Sequence, residues 1–478
     1  MKKYLIILCT LFSMKGFSQE KAYSFSMEEA ISFAIDSSYA TINARREIAK
    51  ALKLKWEATA MGLPQINANV SYLNNIKQQV SLLPAAAFDN TTSVVNTVEE
   101  FFDLEANNQP TPPEGFIPVI FGTQQSINAT ATLNQLIFDG SYLIAIEAVK
   151  SFLRFNENIN EKTNLEVRKQ VINTYGNVLL ADELIAITEK NKVNLEKNLF
   201  EIRKIYENGL TEEESVQQLE ITLLDIETQL SNAKRSLKIA RQLFNLTLGI
   251  NVDEDVTLTN TLQTLTDENI SLALLDNALT IEDNVDYKIA ENVIEQRDIE
   301  LKLERSRGMP SINGFINYGT AAFGDEFTFF NSDQRWFQSS AFGISLNVPI
   351  FSSGLRSARN QQARISLDQA QLQFEETSQR VKLAFESARS NYQFTIERYQ
   401  NTKKNLTLAE SIENKNQIKF KEGLATSFDL RQAQTQLYST QQQYINAMLD
   451  VIKAKAEIET VLNTPQLRMS SDEIKTKF

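Results

Sequence analysis

Gly62-Leu-Pro-Gln-Ile-Asn-Ala-Asn-Val-Ser-Tyr72 is written a second time, with changes, as Gly308-Met-Pro-Ser-Ile-Asn-Gly-Phe-Ile-Asn-Tyr318. In each copy a glycine and a proline stop the preceding segment, and strict alternation follows. Ile66, Ala68, Val70 and Tyr72 oppose Gln65, Asn67, Asn69 and Ser71; later Ile312, Gly314, Ile316 and Tyr318 oppose Ser311, Asn313, Phe315 and Asn317. A period of two with one apolar side predicts strands. Two more matches follow in the same order. Leu133-Asn-Gln-Leu-Ile-Phe138 returns as Leu346-Asn-Val-Pro-Ile-Phe351, and Tyr206-Glu-Asn-Gly-Leu210 returns as Phe420-Lys-Glu-Gly-Leu424. Matches that keep their order make the chain a tandem of two large units. Each unit reads helix, strand, strand, very long helix, tight turn, helix.

Working outward, Ser26 with Glu29 forms a capping box that opens a helix over 26–61, with Gly62 as its C-cap. A second strand in unit one sets Ile127, Ala129, Ala131 and Leu133 against Ser126, Asn128, Thr130 and Thr132; in unit two Phe342, Ile344, Leu346 and Val348 oppose Ala341, Gly343, Ser345 and Asn347. Between the strands of unit one, residues 75–123 carry Pro84, Pro110, Pro112, Pro113 and Pro118 and read as a large irregular loop. The shorter loop of unit two is aromatic, with Phe323, Phe327, Phe329, Phe330, Trp336 and Phe337. Residues 141–208 hold no proline and one glycine, and 355–422 hold neither. Each stretch would be ~100 Å long as one helix.

A shorter helix follows each long one, with apolar positions stepping alternately by four and three. In unit one they are Leu219, Leu223, Ile226, Leu230, Ala233, Leu237, Ala240 and Phe244. In unit two they are Ala433, Leu437, Thr440, Tyr444, Ala447, Val451, Ala454, Ile458 and Val461. That is coiled-coil spacing. Two half-length helices of ~55 Å, set end to end, can pair along one long helix.

Composition narrows the chemistry. Lys2 and Lys3 precede an apolar run to Met14, and Gly16-Phe17-Ser18 offers a cleavage site, so 1–18 is expected to be a signal peptide. The single cysteine, Cys9, lies within it, and the chain has no histidine. Thiol nucleophiles, Ser–His–Asp triads and His or Cys metal sites are therefore excluded from the mature chain. The expectation is no catalytic residue, no cofactor and no metal. A net charge of −12 argues against nucleic acid. No later apolar run reaches the ~20 residues of a membrane-spanning helix, but each strand has the ~9–11 residues that a tilted membrane strand needs. Four strands cannot close a barrel, because membrane barrels need about eight or more. An open edge cannot sit in lipid, so several chains would have to pool their strands.

These features resemble the TolC family of outer-membrane efflux channels over about 26–463. The strongest local matches are Tyr206-x-x-Gly209-Leu210 and Phe420-x-x-Gly423-Leu424, at equivalent places in the two repeats. The resemblance implies a mixed, mainly α fold: four transmembrane β-strands and long coiled-coil helices per chain. Three chains would form a 12-stranded β-barrel continued by a periplasmic α-helical tunnel. It also implies domains: a first efflux repeat over 19–250, a linker over 251–270, a second repeat over 271–463 and a tail over 464–478.

The function implied is a trimeric channel of the Gram-negative outer membrane, reaching into the periplasm. It would passively pass substrates from a tripartite efflux pump or a type I secretion system. Its partners would be its own copies, a periplasmic adaptor protein, an inner-membrane transporter and outer-membrane lipid. Gly209, Leu210, Gly423 and Leu424 would be the tips that dock the adaptor. Asp429 and Gln432, six and nine residues after Gly423, would line the periplasmic aperture together with Tyr206 and Phe420. Where the family often has a tyrosine and an arginine that lock the closed tip, this chain has Phe420 and Ala425, which can supply neither a hydroxyl hydrogen bond nor an ion pair. Glu212, Glu213 and Glu214 are the alternative acids at the entrance. A coiled-coil spacer would explain the heptads but not the strands, and an adaptor would need one hairpin, not two.

Overall fold

A computed structural model describes residues 23–103, 111, 113–465 and 467 of the chain. The expected signal peptide with Cys9, Pro110, Pro112 and most of the tail lie outside them. The first repeat runs β1 (Tyr23–Phe25), α1 (Met27–Ser37), α2 (Tyr39–Ala60), β2 (Gln65–Asn74), β3 (Val80–Pro84), α3 (Thr91–Phe102), β4 (Phe116–Ile120), β5 (Gln125–Asp139), α4 (Gly140–Glu207) and α5 (Glu213–Leu248). After β6 (Val256–Leu258) and α6 (Leu262–Asn269), the second repeat runs α7 (Val285–Ser306), β7 (Ser311–Gly324), β8 (Trp336–Asn347), α8 (Leu355–Lys421) and α9 (Ser427–Val461). The long helices, expected from the lack of breakers, have 68 and 67 residues. The described residues form two compact units, a helical one within 1–55, 147–301 and 360–478 and a sheet-bearing one within 56–146 and 302–359.

In the helical unit the heptad positions are seated as their spacing requires. Leu219, Ile226 and Phe244 of α5 are buried, as are Ala433, Leu437, Thr440, Ala447, Val451, Ala454 and Ile458 of α9. The single helix expected over 26–61 is broken at Ser38. The Ser26–Glu29 capping box is present and opens α1. Ser38 then turns extended and caps α2, its Oγ accepting the N–H of Thr41 at 3.3 Å. The break has a cause in packing: α5 ends against it. Ser37 Oγ donates to the carbonyl of Leu248 at 2.6 Å. Gly249 follows at φ +79, so close that a Cβ would lie 2.4 Å from the Ser37 carbonyl oxygen.

In the second repeat one side chain makes the equivalent joint. Asn284 Oδ1 accepts the N–H groups of Asp286 at 2.9 Å and Tyr287 at 3.2 Å, capping α7. Its Nδ2 donates to the carbonyl of Val461 at the end of α9, 2.9 Å away. Both joints set the negative end of one helix dipole against the positive end of the next.

Residues 251–270 do more than join the repeats. β6 pairs in parallel with β1, and a Thr261–Thr264 capping box opens α6. Leu262, Leu265 and Thr266 are buried. Two fully buried tyrosines tie the adjoining backbone to the long helices. Tyr175 of α4 donates to the carbonyl of Phe25 at 3.0 Å, and Tyr392 of α8 donates to that of Asn269 at 2.6 Å. Desolvation pushes both hydroxyl pKa values up, which keeps them neutral donors.

In the sheet unit, β2, β5, β7 and β8 form one antiparallel sheet in that order, so β5–β7 joins the repeats and β2 and β8 are its edges. The register keeps the alternation in phase across all four strands. Ile66 pairs with Leu133, which pairs with Ile316, which pairs with Phe342; one residue along, Asn67, Thr132, Asn317 and Ala341 are partners on the opposite face. The apolar face is bare, with Ile66, Val70, Ile316, Phe342 and Ile344 all exposed. Ile137 is left out of the β5–β7 register as a bulge. Phe315 interrupts the polar face because Gly343, its partner, leaves it room: a Cβ there would lie 2.5 Å from the ring.

Gly62 is not the left-handed C-cap expected of it. It serves close approach instead, since a Cβ would meet the Tyr142 hydroxyl at 2.3 Å, where that hydroxyl reaches the Thr59 carbonyl. Residues 75–123 are also more regular than their prolines suggested. They hold the antiparallel pair β3–β4, a 3-10 turn over Ala85–Phe88 and α3. Strands of five residues that contain Pro84 and Pro118 offer no readable period, and such prolines fit a two-stranded ribbon.

Candidate functional site

The two long helices end in the same motif. The N–H of Gly209 bonds to the Tyr206 carbonyl at 2.8 Å, and that of Leu210 to Ile205 at 3.1 Å. In the second repeat Gly423 bonds to Phe420 at 3.0 Å and Leu424 to Lys419 at 2.7 Å. These pairs of bonds define a Schellman C-cap. It needs a left-handed residue, and Gly209 and Gly423 have φ +73 and +71. Neither glycine would meet an atom within 4 Å if given a Cβ, so conformation, not space, demands them. Each motif turns the next leucine outward: Leu210 and Leu424 are both 78% exposed.

The returning helices start differently. Thr426 and Asp429 form a capping box: Asp429 Oδ2 accepts from the N–H and hydroxyl of Thr426 at 2.9 and 2.7 Å, and Thr426 Oγ1 accepts from the N–H of Asp429 at 3.2 Å. The bonds from Thr426 hold the Asp429 carboxyl below its usual range, and Lys419 adds to the effect. Glu212, the N-cap of α5, makes no side-chain cap bond.

The two hairpin ends are neighbours. Ser427 Oγ donates to Ser215 Oγ at 2.9 Å. Behind that contact Leu195, Leu199, Ile202, Val216, Leu219 and Ile226 form a small core, on which Phe420 and Tyr438 pack from the second repeat. Gln417 Nε2 reaches Asn198 Oδ1 at 3.4 Å across the same seam. Glu413 lies beside Gln434 and Tyr438; burial raises its pKa, and burial with the charge of Glu413 raises that of Tyr438.

Phe420, expected at the aperture, is therefore half-buried in the seam between hairpins. Asp429 and Gln432 are exposed one helical turn apart, and Tyr206 is exposed at the end of α4. No hydrogen bond links Asp429, Gln432 and Tyr206 to one another among the described residues. The Ser215–Ser427 bond and the Glu413–Gln434–Tyr438 group were not read from the sequence. Both depend on which faces of separate hairpins meet. The only available signal was that Gln434 and Tyr438 lie within one turn of the heptad positions Ala433 and Leu437.

Residues 278–464 match the model of the outer membrane efflux protein family. No curated protein sequence matches the chain. Among solved structures, the fold is similar to VceC, an outer membrane protein of Vibrio cholerae, at 17% identity and a TM-score of 0.66, covering 91% of this chain and 95% of that one. It is similar to the CmeC outer membrane channel of Campylobacter jejuni at 14% identity and a TM-score of 0.69, covering 97% and 94%. It is also similar to the open state of the MtrE outer membrane channel of Neisseria gonorrhoeae, at 16% identity and a TM-score of 0.67, covering 91% and 88%. The resemblance first read from the repeats is borne out.

Proposed function

We propose, from an efflux-family match over 278–464 and a channel fold along nearly the whole chain, that this protein is one protomer of a trimeric outer-membrane duct. The duct carries substrates passively from an inner-membrane transporter, in a tripartite efflux pump or a type I secretion system, across periplasm and outer membrane. One observation carries the reading most: a four-stranded sheet with an exposed apolar face, a polar face of Asn, Ser and Thr, and two unpaired edges. Such a sheet fits lipid on one side and water on the other only if its edges are closed by other copies. Three copies of four strands make a barrel of twelve.

Among the described residues no helix is long and apolar enough to cross a membrane, so the strands alone would enter the bilayer. Helix α8 also leaves Leu372, Leu383 and Phe394 exposed, eleven residues apart. Eleven residues are three turns of ~3.67, so the three side chains lie along one stripe. A stripe of that kind suits the flank of another long helix. At the hairpin ends Leu210 and Leu424 would dock the adaptor, and Asp429 would contribute one carboxylate per protomer to a cation-favouring entrance.

The test is conductance. Purified protein added to a planar lipid bilayer should open steady, cation-selective pores, and in cells it should fractionate with the outer membrane and need detergent for release. A protein that stays folded in solution without detergent and conducts nothing defeats the proposal.

A further inference from the structure

The two hairpin ends match in backbone and differ in charge. With Gly209 aligned on Gly423, residues 201–214 carry five acids and two bases, a net −3. Residues 415–428 carry three bases and one acid, a net +2. The sign reverses at equivalent positions: Glu201 stands where the second end has Lys415, and Glu207 where it has Lys421. Glu212, Glu213 and Glu214 correspond to Thr426, Ser427 and Phe428.

Glu207 is paired with Lys204, and Lys419 acts on the Asp429 carboxyl, but most of the excess charge has no partner within 4 Å among the described residues. Glu212, Glu213 and Glu214 are exposed and form no ion pair among the described residues, nor do the exposed Lys415, Lys419 and Lys421. The first end's own bases are engaged locally, Arg203 with Glu220 at 2.6 Å and Lys204 with Glu207 at 2.7 Å. The hydrogen bond between the ends joins two uncharged serines. Each exposed leucine thus sits in a rim with an excess of one sign, negative around Leu210 and positive around Leu424, where Glu422 and Asp429 temper it. Such rims steer association and exclude partners of like charge more than they add contact energy.

We propose that the two ends dock two different protein surfaces: Leu210 takes an apolar patch ringed by Lys or Arg, and Leu424 takes one ringed by Asp or Glu. The ends are then not interchangeable, and the partner binds in one polarity around the channel. This rests on the reading that both ends dock an adaptor.

The test places a photo-reactive amino acid at position 210 or 424 of the full chain in cells, and identifies the captured peptides by mass spectrometry. Peptides captured at 210 should be basic and those at 424 acidic. Joint reversal with Glu212→Lys, Glu213→Lys and Glu214→Lys should lower capture at 210 by about tenfold and leave capture at 424 nearly unchanged. Lys415→Glu with Lys421→Glu should do the converse, and both losses should shrink at high salt. Each variant is first shown to keep wild-type mass in detergent.

Capture that is charge-blind, or unaffected by the reversals, overturns the polarity while leaving docking in place. Capture of this chain's own 415–428 segment at position 210 also overturns it, because the ends would then serve each other. If nothing is captured and export survives Leu210→Asp with Leu424→Asp, the docking reading fails as well.

Discussion

Asp429 illustrates how much a single carboxylate can be asked to do. The family resemblance assigns it to a ring at the entrance, where three like charges would raise one another's pKa. Within one protomer its environment acts in the opposite direction, since the hydrogen bonds from Thr426 lower it. A carboxyl whose pKa is depressed on folding contributes stability above its unfolded value and loses it as the pH falls through the folded value. Exchange protection of the amides at 427–430 should therefore hold from neutral pH to the ordinary aspartate value of 3.8 and fall only below it. Asp429→Asn should remove that dependence, and Thr426→Ala should weaken the first turn of α9 by ~1 kcal/mol. Hydrogen exchange read by mass spectrometry measures both. Loss of protection well above 3.8 would mean that repulsion between protomers outweighs the cap. The Thr426–Asp429 pair has the same three-residue spacing as the Ser26–Glu29 capping box and so lay within reach of the sequence.

Among the elements, the strands carry the sharpest expectation. Val70, Ala131, Ile316 and Ile344 share the apolar face, and Asn69, Thr130, Asn317 and Ser345 share the other. Arginine at any of the first four should cost ~2–4 kcal/mol near the bilayer midplane, and arginine at any of the second four should be tolerated. Heat-resistance of the assembled protein on gels, variant by variant, measures this. Equal assembly of both sets would refute the membrane assignment of these faces. The faces were legible because a strand's period of two survives in one dimension. The joints at Ser38 and Asn284 were not, because each exists only where the end of a distant helix arrives. Nor were β3, β4 and α3, whose short runs and prolines leave no period to count.

For the molecule as a whole, the expectation is mass. Four strands leave the edges β2 and β8 without partners, and lipid supplies none. Light scattering in detergent, corrected for the micelle, should give three chains per particle; a folded monomer with the same strand content would end the proposal. Breakers that are missing from 141–208, heptads and alternation were enough to predict four amphipathic strands and two long hairpins, because each is a property of neighbours along the chain. The glycines at 209 and 423 were legible as turn positions, but the 78% exposure of Leu210 and Leu424 is a property of the folded chain, because an apolar residue after a Schellman glycine often packs back on its helix. Only the folded chain decided that β5 pairs with β7, that Phe420 packs on the first hairpin's core, and that Ser427 meets Ser215. Those contacts join residues about two hundred positions apart. Local propensity cannot encode which faces meet at that separation; burial and hydrogen-bond satisfaction in three dimensions select them.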